Sequence, residues 1–139
     1  MSLTKHKPWI LIVGSGFALF AVLLGAFAAH ALKTQVDAYS LGIFKTAVNY
    51  QMNHALGLLV IGVLKSINRF STHYLNYAAM AMIAGILLFS GSLYLLALLN
   101  IKWFGAITPL GGLLFLIGWG LLIYALLTDG RANQAKTSD

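Results

Sequence analysis

The residues able to do chemistry are crowded into one run, Lys45-Thr46-Ala47-Val48-Asn49-Tyr50-Gln51-Met52-Asn53-His54, which leads straight into the apolar stretch from Ala55 to Leu64. On a helix, Lys45, Asn49 and Asn53 share one stripe, Tyr50 and His54 stand four apart on another, and Gln51 lies three before His54. Such groups are costly in hydrocarbon unless paired, so the whole run is expected to point into a helix bundle. His54 is the titratable member. The partners expected for Gln51 and His54 are His30, Ser90, Ser92 and Tyr94, so the candidate ligand-binding set is His30, Tyr50, Gln51, His54, Ser90, Ser92 and Tyr94. His6 and His73 lie in flanking polar segments and are expected to be solvated.

Several chemistries are excluded or disfavoured. The chain has no cysteine, which removes disulfides, thiolate zinc sites and cysteine nucleophiles. Glutamate is absent, and Asp37, Asp129 and Asp139 are the only acids, all outside the apolar segments. A paired-carboxylate mechanism within the bilayer is therefore excluded. No nucleophile, base and orienting group occur together, so no catalytic activity is expected. A haem held by His30 and His54 needs both at similar depth, and their distances from the helix ends disagree. A metal at the same two residues lacks a third ligand. Neither cofactor nor metal is expected. Gly14-Ser15-Gly16 is followed by Leu19 where a dinucleotide fingerprint needs its third glycine, and no βαβ pattern surrounds it.

The solvent for this run follows from composition. The 139 residues are 60% hydrophobic and only 9% charged, with mean hydropathy +0.85, far from the balance of a soluble domain. The expected fold is an all-α membrane protein, a four-transmembrane-helix bundle occupying residues 1–139 as one domain. The spans are placed at about 9–31, 46–66, 74–99 and 108–127. Residues 33–45 read either as an amphipathic lead-in along the interface or as an extension of the second helix. The first apolar stretch is longer than a signal-peptide core. Despite the small residues of Ala28-Ala29-His30-Ala31, it reads as a retained helix.

Helix boundaries have local signals. Pro8 and Trp9 suit a helix start at the interface, as do Tyr74 and Tyr77 for the third span. Ser90-Gly91-Ser92-Leu93-Tyr94 is expected to interrupt that span. Thr108-Pro109 reads as an N-cap and first turn for the fourth. Small residues four apart, Gly14 with Ala18 and Ala21 with Gly25 and Ala29, are expected to let helices approach closely, as are Ala81 with Gly85 and the glycines at 111, 112, 118 and 120. The net charge of +6 is scattered between apolar segments, so nucleic acid is not an expected partner. Lys5, Lys7, Lys65, Arg69, Arg131 and Lys136 fall on one side and Lys33, Lys45 and Lys102 on the other, which predicts cytoplasmic termini. Expected partners are membrane lipids, a small ligand and further copies of the chain as a homo-oligomer.

Four blocks carry a family resemblance: Gly25-Ala26-Phe27-Ala28-Ala29-His30-Ala31-Leu32-Lys33, Thr46 to Leu56, Leu88-Phe89-Ser90-Gly91-Ser92-Leu93-Tyr94, and Ile107-Thr108-Pro109-Leu110-Gly111-Gly112. In these the chain resembles the YgdD-like family of small membrane proteins, a family of unknown function. The resemblance implies a four-helix protein of the bacterial inner (plasma) membrane and supplies no activity. It singles out His30, Tyr50, Gln51, His54, Ser90, Ser92, Tyr94, Thr108 and Pro109 as pattern residues. Some relatives have an acidic residue near the start of the second block, where this chain has Lys45 and Asn49, which weakens a proton relay that needs a carboxylate. The reading is a polar cluster that is structural or binds a small ligand or lipid. The alternative is an oligomeric small-solute or proton transporter or channel component.

Overall fold

Helix α1, Trp9–His30, buries only Ile10, Gly14, Ala21 and Ala28, a narrow stripe of mainly small residues. Most of its remaining surface is exposed apolar side chain, as a span with one protein neighbour and lipid elsewhere requires. The computed structural model describes residues 8–67 and 70–135, with side chains as far as Thr128. His6, Lys5, Lys7, Arg69 and Lys136, and the side chain of Arg131, lie outside the described residues, whereas His73 is exposed.

A short 3-10 turn, Leu32–Thr34, follows α1, and helix α2 spans Ala38–Ser66. Asp37 sets that start: its carboxylate accepts the Ser40 backbone N–H and the Ser40 hydroxyl, both at 2.9 Å. These bonds hold the Asp37 carboxyl below its usual range. The cap is therefore complete above the ordinary carboxylate pKa and is lost as pH falls through the lowered value. The second helix thus begins at Ala38 and not near residue 46. The segment 33–45 is no separate interfacial element, because the cap lies inside it and Phe44 packs with Leu32, Ala28 and Ala97.

Helix α3 is the continuous span Thr72–Leu99, wound as α-helix over Thr72–Gly85, as a π turn over Ile86–Ser90 and as α-helix again over Gly91–Leu99. The interruption expected at Ser90 to Tyr94 shares only Ser90 with this turn; Gly91–Leu99 is regular α-helix, and the irregular winding lies one turn earlier. Asn100 ends the helix with φ 53°, a left-handed conformation that asparagine tolerates better than most residues. Helix α4, Phe104–Ala135, starts earlier than the Thr108-Pro109 signal suggested. Its entry is made by i+3 bonds from Phe104, Gly105 and Ala106 back to Ile101, Lys102 and Trp103. Pro109 lies inside the helix, where its missing N–H leaves the Gly105 carbonyl without its i+4 donor, a loss that membrane helices tolerate. Thr108 caps nothing; its hydroxyl meets that of Ser92 at 2.8 Å.

All four helices, including the α1 span continued to Thr34, are long and apolar enough to cross a membrane. The most extensive pairings are α1 with α2 and α3 with α4, with α2 facing α3 at the centre. Ile10, Leu58, Ile61, Leu75, Met82, Phe115 and Leu122 belong to the larger apolar core. Near the end of that core, Lys65 donates to Asn76 Oδ1 at 2.8 Å and lies 5.7 Å from the Trp9 ring centre, joining three helices at one interface. Lys45 and Lys65 stand about 30 Å apart along α2 at 1.5 Å per residue, the thickness of the hydrocarbon layer.

Close approach of α3 and α4 is set at Gly111, where a Cβ would collide with the Phe89 backbone nitrogen and lie 2.7 Å from its Cα. Gly120, on the same helix, would meet nothing within 4 Å. Gly111→Ala should destabilise the bundle by about 1–3 kcal/mol through forced separation. Gly120→Ala should change stability by less than about 0.5 kcal/mol. Thermal unfolding of the two variants in one detergent checks the contrast.

Candidate functional site

The polar run of α2 does not converge on one point but divides around the helix. Gln51, 4% exposed, faces inward. Its Nε2 donates to the Phe17 carbonyl of α1 at 2.9 Å, and its Oε1 accepts the Tyr94 hydroxyl of α3 at 2.9 Å. One side chain thereby ties three helices. Beside it the fully buried Ser90 donates to the Ala47 carbonyl at 2.8 Å. Both backbone acceptors use a second carbonyl lone pair, so neither bond requires a break in a helix.

The π turn helps produce this arrangement. Its extra residue per turn changes the winding where Phe89 and Ser90 meet α2, and such turns concentrate at sites with a special packing or functional demand. Ser92 belongs elsewhere: it donates to the Phe89 carbonyl at 3.0 Å and contacts Thr108. It joins α3 to α4 and is not a partner of Gln51.

His30 is also not a partner. It occupies the last turn of α1 and is exposed, whereas Gln51 reaches α1 at Phe17. About 20 Å of helix separates Phe17 from His30. The antiparallel register of α1 and α2 thus places His30 toward one end of the bundle and His54 near its middle. The expectation that Gln51 and His54 face His30 is overturned by this register.

His54 and Tyr50 form the second part. His54 is 6% exposed, and its Nδ1 lies 2.7 Å from the Tyr50 carbonyl. A carbonyl can only accept, so Nδ1 carries the proton and Nε2 of the neutral ring is the acceptor. The ring stacks on Phe115 with centres 3.4 Å apart and planes at 11°, and Tyr50 stacks on Phe89 at 4.4 Å. Among the described residues Nε2 has no protein partner, and no buried side-chain nitrogen or oxygen is left unbonded. Nε2 therefore opens on the adjoining groove of about 470 Å³, lined by Tyr50, His54, Phe89, Pro109, Gly112, Leu113, Phe115, Leu116 and Trp119. His54 lies close to midway between Lys45 and Lys65, near the middle of the hydrocarbon layer.

The third part faces outward. Lys45, Asn49 and Asn53 are exposed, against the expectation that the whole run points into the bundle. Each lies on the side of α2 away from α1 and α3, whose contacts already occupy the Ala47, Gln51 and Leu58 side. Among the described residues no three His, Cys, Asp or Glu side chains lie close enough to share a metal ion.

The family profile described as protein of unknown function (DUF423) matches residues 24–112. The chain belongs to this family. A UPF0382 membrane protein of Staphylococcus aureus is 45% identical over 115 residues, covering 83% of this chain and 92% of the relative. That of Staphylococcus epidermidis is 44% identical over 117 residues, covering 84% and 93%. The UPF0382 membrane protein YwdK of Bacillus subtilis is 44% identical over 115 residues, covering 83% and 93%. No solved structure matches the chain. The DUF423 match takes in all seven candidate residues, while Phe17, Phe115 and Trp119 lie outside it.

Those three are what reading the sequence of this DUF423 member missed. Phe17 acts through its backbone carbonyl, which no residue type announces. Phe115 and Trp119 stand four apart on α4 and form one aromatic edge, a spacing visible in the sequence. Removing the central bridge gives a direct test. Gln51→Leu should cost about 1–3 kcal/mol because it strips the Tyr94 hydroxyl of its acceptor. Tyr94→Phe should cost about 0.6–1.7 kcal/mol. The double variant should lose less than the sum of the two in thermal unfolding, the mark of a shared bond.

Proposed function

We propose that this membrane protein is a non-catalytic binder of an uncharged, lipid-soluble small molecule. The ligand lies in the groove between α2, α3 and α4, against the aromatic edge formed by Tyr50, Phe89, Phe115 and Trp119. The observation that carries this reading is the buried His54 ring, with Nδ1 committed to the Tyr50 carbonyl and Nε2 free at the groove. An acceptor at this depth selects a ligand with an O–H or N–H donor. The flat apolar walls suit a ring, and the absence of a charged lining residue disfavours an ionised group. The inner bonds of Gln51, Ser90 and Tyr94 serve the architecture in this reading and do not touch the ligand. No nucleophile or carboxylate accompanies His54, so the proposal includes no chemical step. The relatives' names lend no support to transport, and the inner polar groups are already bonded to each other.

The proposed setting is the bacterial plasma membrane, with both termini cytoplasmic. The bacterial relatives are named as membrane proteins, and Lys5, Lys7, Lys65, Arg69, Arg131 and Lys136 outweigh Lys33, Lys45 and Lys102. Because the chain has no cysteine, orientation can be read with single cysteines in intact cells. Thr34→Cys should react with a membrane-impermeant maleimide from outside, and Ser66→Cys only after permeabilisation.

The groove itself is tested with Trp119 as reporter, after Trp9→Phe and Trp103→Phe, in lipid nanodiscs. Titration with 4-octylphenol should change Trp119 emission saturably. The methyl ether of the same phenol, which lacks the donor, should bind at least about 10-fold more weakly, the worth of one good hydrogen bond. His54→Phe keeps the stacked ring, so it should retain stability and lose the preference for the phenol. A response that neither saturates nor depends on His54 would overturn the reading.

A further inference from the structure

The outward face of α2 carries two amides with nothing to bond. Asn49 and Asn53 are exposed, and neither side chain makes a hydrogen bond among the described residues. The fully buried side-chain nitrogen and oxygen atoms, by contrast, are all bonded among the described residues. At 3.6 residues per turn, Gly42, Asn49, Asn53, Leu56 and Val60 fall within a sector of about 60°, and all five are exposed. Asn53 lies roughly 3 Å from the midpoint between Lys45 and Lys65 along the axis. A short carboxamide cannot reach the interface from there, as a lysine near a helix end can. Two unpaired amides facing lipid are costly, and the cost falls away once they meet a partner.

We propose that this stripe is the contact surface for a second copy of the chain, packed α2 against α2 about a two-fold axis along the membrane normal. Copies inserted in one orientation hold Asn49 and Asn53 at equal depths, and the axis sets each amide opposite its twin. A carboxamide has both donors and an acceptor, so each pair forms reciprocal N–H···O bonds with no complementary sequence. That depth match is automatic for a second copy and is what favours it over an unrelated helix. Gly42, whose Cβ position opens on free space, lets the two backbones approach. Lys45 lies at the interface, where water and headgroups screen it from its twin. The groove at His54 opens about a third of a turn away around α2, so the contact leaves it accessible.

The test uses the full chain in liposomes of defined phospholipid. Leu56→Cys and Val60→Cys, introduced singly into the cysteine-free chain, should form disulfide-linked dimers on oxidation. Ile12→Cys and Leu116→Cys, on the exposed faces of α1 and α4, should not. Asn49→Leu/Asn53→Leu should keep the thermal stability of the monomer, because leucine suits a lipid-facing position. Its dimer dissociation constant, measured by energy transfer between labelled copies at varied protein-to-lipid ratio, should rise at least about 10-fold. Equal cross-linking at all four sites, or an unchanged dissociation constant in the double variant, overturns the proposal. So does a wild-type chain that stays monomeric in liposomes while its Leu56→Cys form links to a different protein in native membranes.

Discussion

The Gln51 side chain is the point on which the bundle's arrangement depends. Its amide has one end on α1 and the other on α3, so α2 can neither slide nor turn against its neighbours without breaking a bond away from water. Between helices in lipid there is little hydrophobic drive, since the tails outside are as apolar as the side chains inside. Small residues bring the helices close, but close packing alone tolerates several registers. A polar bridge with two fixed ends selects one of them. Ser90, bonded to Ala47 one turn away, repeats the constraint on the α2–α3 side.

Once that register is set, the fate of every other polar group on α2 follows from its angle around the axis. Gln51 is inside, His54 is at the edge beside α4, and the two asparagines are outside. One contiguous run thus presents three chemical environments: a dry bonded centre, a groove edged by His54 and Tyr50, and an outward amide face. Its function as a site does not come from concentration of polar residues at one place. It comes from the helix distributing them.

The four spans were legible because length and hydropathy alone demand them, and Gln51 with Tyr94 was legible because a buried amide needs a partner on another helix. The start of α2 was less so: Asp37 and Ser40 make an ordinary cap, but the apolar spacing around them also fits an interfacial segment. The Thr108-Pro109 pair carries a strong start signal, and i+3 turns placed the helix start before it. His30 misled for a different reason. Its position near a helix end was clear, but the register of α1 on α2 is fixed by small residues, whose spacing allows several registers, and by a backbone carbonyl, which no residue type announces. The outward asparagines show the limit of assuming that polar residues in a membrane helix always turn to their own bundle.

The π turn at Ile86–Ser90 gives α3 one residue more than its length as a regular helix would hold. With that residue wound out, everything after Ser90 would rotate by about 100° relative to everything before Gly85. Tyr94 would swing off the Gln51 amide, and the close seat of Phe89 on Gly111 would be lost at the same time. The two halves of α3 therefore act like a cam with a fixed offset: the first half is keyed to the apolar core, the second to the polar bridge, and the bulge is the offset that lets one span engage both.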